Sequence, residues 1–89
     1  MLVVEDDVRL RQRLVGHFSA LGWVVGEAPG GSEADYLARE LPCDLAIVDL
    51  GLPDVPGIEL IARWRAMGLA FPVLVLTARA DWQEKVQGL

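Results

Sequence analysis

The run Asp44-Leu45-Ala46-Ile47-Val48-Asp49 is the clearest indicator of fold class in this 89-residue chain. Its inner residues are apolar without interruption, and an acidic residue stands at each end. A strand with this pattern is buried on both faces, whereas a strand with one face in water alternates apolar and polar residues. Strands buried on both faces are typical of parallel sheets that helices cover on each side. The run therefore predicts an inner strand of an α/β fold, with Asp49 at its carboxyl end.

A strand and a helix are predicted at the start of the chain. Leu2-Val3-Val4 is an apolar run ended by acids, which indicates the strand. The helix is indicated by apolar residues near a helical period: Val8, Leu10, Leu14, Phe18 and Leu21. Asp7 is placed to cap this helix, because its carboxylate can accept hydrogen bonds from free N–H groups of the first turn. Gly22 suits the left-handed residue that follows a helix end.

The same pattern occurs once more before the 44–49 run. Trp23-Val24-Val25 predicts a second strand, and Ser32 is placed to cap a second helix. That helix is indicated by an apolar stripe that ends before Pro42: Ala34, Leu37, Ala38 and Leu41. Two strand-helix units therefore precede the inner strand.

Beyond Asp49, a loop over residues 50–57 contains two prolines and two glycines and leads into a third helix. The stripe of that helix comprises Ile58, Ile61, Trp64 and Met67, with Leu60 beside it. Residues 71–76 form a fourth apolar strand, and residues 81–86 begin a helix that the chain end cuts off. Strands that alternate with helices pair in parallel through right-handed crossovers. The chain is therefore predicted to be one α/β domain over residues 1–89, with a doubly wound parallel sheet.

Composition excludes several classes of function. The net charge is −5 and the basic residues are scattered, so this segment is not expected to bind nucleic acid. No apolar run reaches the roughly 18 residues of a membrane span, and acids follow Val4 directly, so neither a membrane segment nor a signal peptide is expected. The chain is accordingly expected in the cytoplasm. Cys43 is the single cysteine, which leaves no disulfide or cysteine metal site within the chain and predicts a buried structural thiol.

Acidic residues follow two of the predicted strands. Glu5 and Asp6 come after the first strand, and Asp49 ends the third. Ligands of open parallel sheets bind beyond the carboxyl ends of the strands, so these carboxylates converge if the two strands are neighbours. Clustered carboxylates repel one another unless a divalent cation lies among them, and Mg²⁺ prefers a few oxygen ligands completed by water. The pattern predicts bound Mg²⁺, although Glu5 and Asp6 would also suit the N-terminal dipole of the following helix.

Asp49 is the candidate nucleophile. Gly51 removes side-chain bulk beside its carboxylate, and the prolines of the loop stiffen the path to the next helix. Formation of an aspartyl phosphate needs a carboxylate, a metal and hydrogen-bond donors for the phosphoryl oxygens. The hydroxyl of Thr77 and the N–H of Ala78 are candidate donors, although a threonine after a strand more often caps its own backbone.

Three segments together resemble a known family. They are Val3-Val4-Glu5-Asp6-Asp7, then Ile47-Val48-Asp49-Leu50-Gly51-Leu52-Pro53-Asp54 with Gly57, and Val73-Leu74-Val75-Leu76-Thr77-Ala78-Arg79. They resemble the receiver domains of bacterial response regulators, over essentially the whole chain. Within that family, the residues of these segments are most similar to those of PhoP-type regulators of the OmpR/PhoB branch.

The resemblance implies a function and a set of roles. Asp49 would accept a phosphoryl group from a sensor histidine kinase, and Thr77 would follow that group as the switch residue. Mg²⁺ would be held by Glu5, Asp6, Asp49 and the carbonyl of Gly51. The fold would be flavodoxin-like, as in CheY, with strand order 2-1-3-4-5. A longer parent would then use the receiver to control transcription, and the receiver itself would not be an enzyme.

Two departures from the family pattern affect these expectations. The pattern continues into a fifth strand and helix with a Lys-Pro pair, whereas the only lysine here, Lys85, lies in the fourth helix pattern. Residues 1–89 would therefore be an incomplete receiver. No winged-helix DNA-binding domain follows in this sequence either, so transcriptional output would belong to a longer parent. Without a fifth strand, residues 73–76 would form an exposed apolar sheet edge, which predicts a homo-oligomer through that edge.

Two other classes of function compete with this interpretation. Enzymes that resemble haloacid dehalogenases also phosphorylate an aspartate at a strand end, but they carry a second aspartate two residues later, where this chain has Gly51. An interaction or dimerisation module that has lost phosphorylation is the other alternative. The acidic set disfavours it, while the missing lysine keeps it open.

Overall fold

A computed structural model describes residues 1–76, and these form a four-stranded parallel sheet with three helices. The strands are β1 (Leu2–Val4), β2 (Gly26–Ala28), β3 (Ala46–Asp49) and β4 (Val73–Leu76). The helices are α1 (Val8–Ala20), α2 (Gly31–Glu40) and α3 (Gly57–Ala66). The strand order is β2-β1-β3-β4, with every pair parallel. The predicted fold class is confirmed, and so is the order 2-1-3-4 for the four strands that the structure describes. The helix expected over residues 81–86 lies outside the described residues.

Helices cover both faces of the sheet, because neighbouring residues of each inner strand point to opposite sides. Val4 and Val48 face a core cluster that includes Trp64 of α3 and small residues of α2. Val3 and Ile47 face the opposite cluster, against which the apolar side of α1 packs. The predicted burial of β1 and β3 on both faces is therefore confirmed.

The ends of α1 follow the sequence prediction. Asp7 is the N-cap, and its Oδ1 accepts a hydrogen bond of 3.0 Å from the N–H of Leu10. Gly22 has a φ of 95°, the left-handed conformation that glycine adopts without steric cost. Along the helix, however, Val8 and Leu21 are exposed, and the half-buried residues of the stripe lie between them.

The second strand was predicted three residues too early. Trp23-Val24-Val25 is the apolar segment, but Gly26–Ala28 pairs with β1, in the register Leu2 to Gly26. The preceding residues close α1 instead, since the N–H of Trp23 donates to the Phe18 carbonyl at 3.0 Å. Val24 is 89% exposed. The strand position is therefore set by pairing with β1 and not by the β propensity of its own residues.

Other boundaries also differ from the prediction. β3 begins at Ala46 and not at Asp44. In α3, Leu60 and Trp64 face the core, whereas Ile58 and Met67 are exposed. Leu41, predicted to end the buried stripe of α2, is exposed as well. In the two helices, the apolar stripe is wider than the face that the core covers. In β3, the apolar run starts before the residues that pair in the sheet.

Ser32 does not cap α2. The N-cap is Gly30, which offers no side chain, and Ser32 lies inside the first turn of the helix. Cys43 is half-buried and not fully buried; its thiol lies 3.4 Å from the Leu45 carbonyl, and burial raises the pKa of the thiol. No helix within residues 1–76 is long and apolar enough to cross a membrane.

Candidate metal centre

The carboxyl ends of β1 and β3 bring three carboxylates together. Val4 pairs with Val48, so the next residues along each strand, Glu5 and Asp49, lie side by side at one edge of the sheet. One carboxylate oxygen from each of Glu5, Asp6 and Asp49 lies within 4.8 Å of the others. The predicted convergence of these acids is confirmed. Glu5 and Asp49 are buried, and Asp6 is exposed, so the cluster opens to solvent on the Asp6 side.

The environment of the Glu5 carboxylate is the strongest evidence that the cluster suits a cation. Its side chain is 1% exposed, and its Oε2 accepts a hydrogen bond of 3.0 Å from the N–H of Asp7. Its Oε1 is buried and has no hydrogen-bond partner within the described part of the chain. Burial, with the neighbouring charge of Asp49, raises the pKa of Glu5 to about 7. A buried carboxylate oxygen without a donor is costly unless a positive charge completes it.

Asp49 is 3% exposed and is held by its own loop. Its Oδ1 accepts a hydrogen bond of 3.1 Å from the N–H of Gly51. A Cβ at Gly51 would lie 3.9 Å from that oxygen, an ordinary van der Waals contact. The glycine therefore keeps space open beside the carboxylate, as predicted, and does not relieve a clash.

Gly57 matters to this site for a reason that the sequence did not reveal. A Cβ at Gly57 would lie 2.5 Å from the carbonyl oxygen of Asp49 and 2.9 Å from the Cα of Leu50. Its N–H also donates to the Leu50 carbonyl at 3.2 Å. The first residue of α3 therefore packs directly against the backbone of the candidate nucleophile. The loop sequence placed a glycine there but did not indicate which backbone it would meet.

Arg11 is a second residue that sequence reasoning missed. Its Nη1 donates to the carbonyl oxygen of Glu5 at 2.9 Å, and its Nε donates to the Glu27 carboxylate at 3.0 Å. Gln12 donates to the same Glu27 oxygen at 2.9 Å. These bonds join the start of α1 to the end of β1 and to β2. A basic residue one helical turn after an acid-rich loop was the available signal.

The donor set fits Mg²⁺ better than a transition metal. All the clustered ligand groups are carboxylates, with no histidine or cysteine among them, and hard oxygen ligands are the preference of Mg²⁺. The candidate donors Thr77 and Ala78 lie outside the described residues, as does Lys85. β4 ends at Leu76, which pairs with Asp49, so this strand also ends at the acidic edge.

The chain is similar to known proteins over its whole length. The family model described as "Response regulator receiver domain" matches residues 1–89. The two-component response regulator PhoP of Pseudomonas aeruginosa is 47% identical over all 89 residues. The chain spans 40% of the length of that relative.

Solved structures give the same picture of the fold. The receiver domain of the Francisella response regulator 1452 superposes with a TM-score of 0.84 at 29% identity, covering 98% of this chain and 72% of that one. The response regulator TrrA of Thermotoga maritima, solved in complex with Mg²⁺ and BeF, gives a TM-score of 0.83 at 25% identity, with 98% and 76% covered. The neighbours therefore share the fold at high coverage.

Proposed function

Because the chain belongs to the response regulator receiver domain family, we propose that Asp49 accepts a phosphoryl group from the phosphohistidine of a sensor histidine kinase. The observation that carries this proposal is the cluster of Glu5, Asp6 and Asp49 at the carboxyl edge of the sheet. The alternative, a module that has kept the fold and lost the chemistry, has no reason to retain a buried carboxylate pair of this cost.

The residues divide the chemistry among them. An oxygen of the Asp49 carboxylate forms a bond to phosphorus while the bond from phosphorus to the histidine nitrogen breaks, and that nitrogen keeps the electron pair. Glu5, Asp6, Asp49 and the carbonyl of Gly51 would hold Mg²⁺, which would supply positive charge to offset the carboxylates and the phosphoryl group. The Gly51 N–H orients the Asp49 carboxylate through the bond at 3.1 Å.

We assign to Thr77 and Ala78 the role of hydrogen-bond donors to the remaining phosphoryl oxygens. They follow Leu76 directly, and Leu76 is the register partner of Asp49. A hydroxyl and a backbone N–H at that point would donate hydrogen bonds to the phosphoryl group. In this role Thr77 would also be the switch residue, with its hydroxyl following the new phosphoryl group.

The chain works as part of a longer regulator in this proposal. PhoP of Pseudomonas aeruginosa is named a two-component response regulator, and this chain spans 40% of it. Residues 1–89 would be the receiver domain of the longer regulator. A separate domain of that regulator, and not this segment, would bind DNA. Such a regulator acts in the cytoplasm, where its DNA lies. The receiver is a phosphotransfer acceptor that returns to its starting state, and not an enzyme that turns over a substrate.

Self-association of the 89-residue chain belongs to the same proposal. Within residues 1–76, β4 pairs with β3 along one edge and has no strand on the other. Leu74 is 55% exposed and Val75 is 44% exposed, on opposite faces of the sheet. An apolar edge strand of this kind is a template for pairing with a second copy.

Incubation with acetyl phosphate and Mg²⁺, followed by intact mass, tests the phosphoacceptor assignment. We expect a gain of one phosphoryl group that hydroxylamine removes, and no gain in Asp49→Ala. Asp44→Ala is the matched control, since Asp44 precedes β3 at the strand end opposite Asp49, is not one of the clustered carboxylates, and has a side chain that is 79% exposed and lies 3.5 Å from the N-terminal amine. Labelling of Asp49→Ala would overturn the assignment, and so would failure to label both this chain and one extended through a fifth strand.

A further inference from the structure

The carboxylate of Asp54 fastens the loop between β3 and α3 to the first turn of α2. Its Oδ1 accepts hydrogen bonds from the N–H of Gly31 at 2.8 Å and of Val55 at 3.0 Å. Its Oδ2 accepts from the N–H of Ser32 at 3.0 Å and from the Ser32 hydroxyl at 3.1 Å. The N-cap Gly30 makes no side-chain bond. Asp54 therefore caps α2 from a segment more than twenty residues further along the chain.

The charge of Asp54 suits this position. Free N–H groups and the helix dipole make the N-terminus of α2 favourable for an anion. The hydrogen bonds from Gly31 and Ser32 lower the pKa of Asp54 to about 2. Asp54 therefore stays ionised, and the contact persists, across the whole physiological range of pH.

Close backbone packing at the same junction is an independent observation. A Cβ at Gly31 would lie 2.8 Å from the Cβ of Val55, and a Cβ at Gly30 would lie 3.0 Å from Oδ1 of Asp54. The loop thus approaches α2 so closely that side chains at these two positions would push it away. Both the glycines and the carboxylate hold the loop at one distance from the helix.

The loop held in this way is the one that carries the candidate site. It starts at Asp49, contains Gly51, and ends where Gly57 packs against the Asp49 backbone. Between those two ends, Leu52 packs into the core, and the bonds of Asp54 to α2 are the loop's only side-chain hydrogen bonds to another helix or strand within the described residues. Asp54 itself is not one of the clustered carboxylates.

We infer that Asp54 is a positioning residue for the phosphoacceptor loop. By tying the loop to α2, it fixes the carbonyl of Gly51 and the carboxylate of Asp49 at the distance from Glu5 that one cation can bridge. The inference rests on the proposed function, because it takes the Gly51 carbonyl as a metal ligand. Loss of the hydrogen bonds between Asp54 and α2 should weaken Mg²⁺ binding without removing any group that contacts the metal or the phosphoryl group.

Mg²⁺ titration by calorimetry tests this role on the 89-residue chain. For Asp54→Asn we expect the dissociation constant to rise about tenfold, the low end of what lost support around metal ligands causes. Glu33→Gln is the matched control, because Glu33 is an exposed acid in the same first turn of α2 and loses the same charge. Its dissociation constant should equal that of the unchanged chain.

Two further variants separate positioning from general stability. Gly31→Ala keeps Asp54 but drives a methyl group into Val55, and it should weaken Mg²⁺ binding as Asp54→Asn does. Leu37→Ala removes core packing from the same helix and leaves the hydrogen-bonding groups of Asp54, Gly31 and Ser32 in place, so it should lower the melting temperature while leaving Mg²⁺ affinity unchanged. Gly31→Ala also serves if Asp54→Asn does not fold.

Hydrogen exchange of the metal-free chain gives a readout independent of metal and phosphate. The amides of Gly51 and Val55 should exchange faster in Asp54→Asn and not in Leu37→Ala. Unchanged Mg²⁺ affinity in both Asp54→Asn and Gly31→Ala would overturn the inference. So would equal losses of affinity in Leu37→Ala. Failure to label both the unchanged chain and the chain extended through a fifth strand would instead overturn the proposed function, and the comparison of Mg²⁺ affinities would still decide the role of Asp54.

Discussion

Glu5 makes the metal-free chain sensitive to pH. Its pKa rises from 4.5 in the unfolded chain to about 7 in the fold, because burial and the charge of Asp49 disfavour ionisation. Folding therefore takes up a proton between pH 4.5 and 7. This contribution to the free energy of unfolding is complete at low pH and is lost as pH rises through 7. Urea unfolding in EDTA at several pH values should show stability falling across this range.

Bound Mg²⁺ should favour the ionised form of the Glu5 carboxyl, whereas burial in the metal-free chain favours the protonated form. The cation needs the ionised carboxylate, so its affinity should fall by up to about tenfold for each pH unit below 7. Glu5→Gln is the control: its metal-free stability should not show the loss between pH 4.5 and 7, and its Mg²⁺ binding should be weak at every pH. A metal-free stability of the unchanged chain that rises over that range would contradict the assignment of the proton to Glu5.

Gly57 and Gly16 form a matched pair of glycines in helices. Gly57→Ala should lower the free energy of unfolding by about 1–3 kcal/mol, the usual cost of overpacking, because its methyl group would overlap the Asp49 carbonyl. Gly16 in α1 has nothing within 4 Å of a built Cβ, so Gly16→Ala should stabilise by up to about 1 kcal/mol through helix propensity. Denaturant unfolding of both variants checks the two signs. Equal effects would mean that Gly57 does not touch the backbone as described.

At the scale of elements, Arg11 connects α1 with the ends of β1 and β2. Its side chain is 13% exposed and the Glu27 partner is 39% exposed, so the ion pair is only partly screened by water. Arg11→Met should cost about 1 kcal/mol, since it also leaves the Glu5 carbonyl without its donor. Arg13→Met removes the same charge from an exposed position of α1 and should change stability by less than about 0.5 kcal/mol.

A double-mutant cycle with Glu27→Gln isolates the contact. If Arg11 acts through Glu27, the two substitutions together should cost less than the sum of the single changes. The part of the loss that remains in the Glu27→Gln background measures the bond to the Glu5 carbonyl. Strict additivity of the two substitutions would exclude the pairing.

At the scale of the whole molecule, the edge of β4 should govern the oligomeric state of the 89-residue chain. Sedimentation over a range of concentrations should show an average mass that rises with concentration. Leu74→Lys should abolish this rise, since a charge on an edge strand opposes pairing with a second copy. Ile58→Lys is the control, because Ile58 is also an exposed apolar residue but lies on α3. A monomer at every concentration would refute self-association of this chain.

The fold class and the candidate site could be read from local patterns for a physical reason. Continuous apolar runs at β1 and β3 can only be satisfied inside a two-sided sheet, and parallel strands place their carboxyl ends along one edge. Glu5, Asp6 and Asp49 are therefore brought together by topology alone, once β1 and β3 are neighbours. The prediction that β1 and β3 are adjacent came from the family resemblance and not from the pattern of apolar residues.

Local patterns in the chain thus predict the alternation of strands and helices, the N-cap at Asp7 and the acids that meet at the sheet edge. Tertiary contacts set three other features: the position of β2, the cap of α2 by Asp54 and the contact of Gly57 with Asp49. Residues 26–28 carry little strand propensity of their own and are placed by pairing with β1. Asp54 and Gly57 act across space on backbone groups that are distant in the chain or folded back on it, and a local pattern carries no information about such partners.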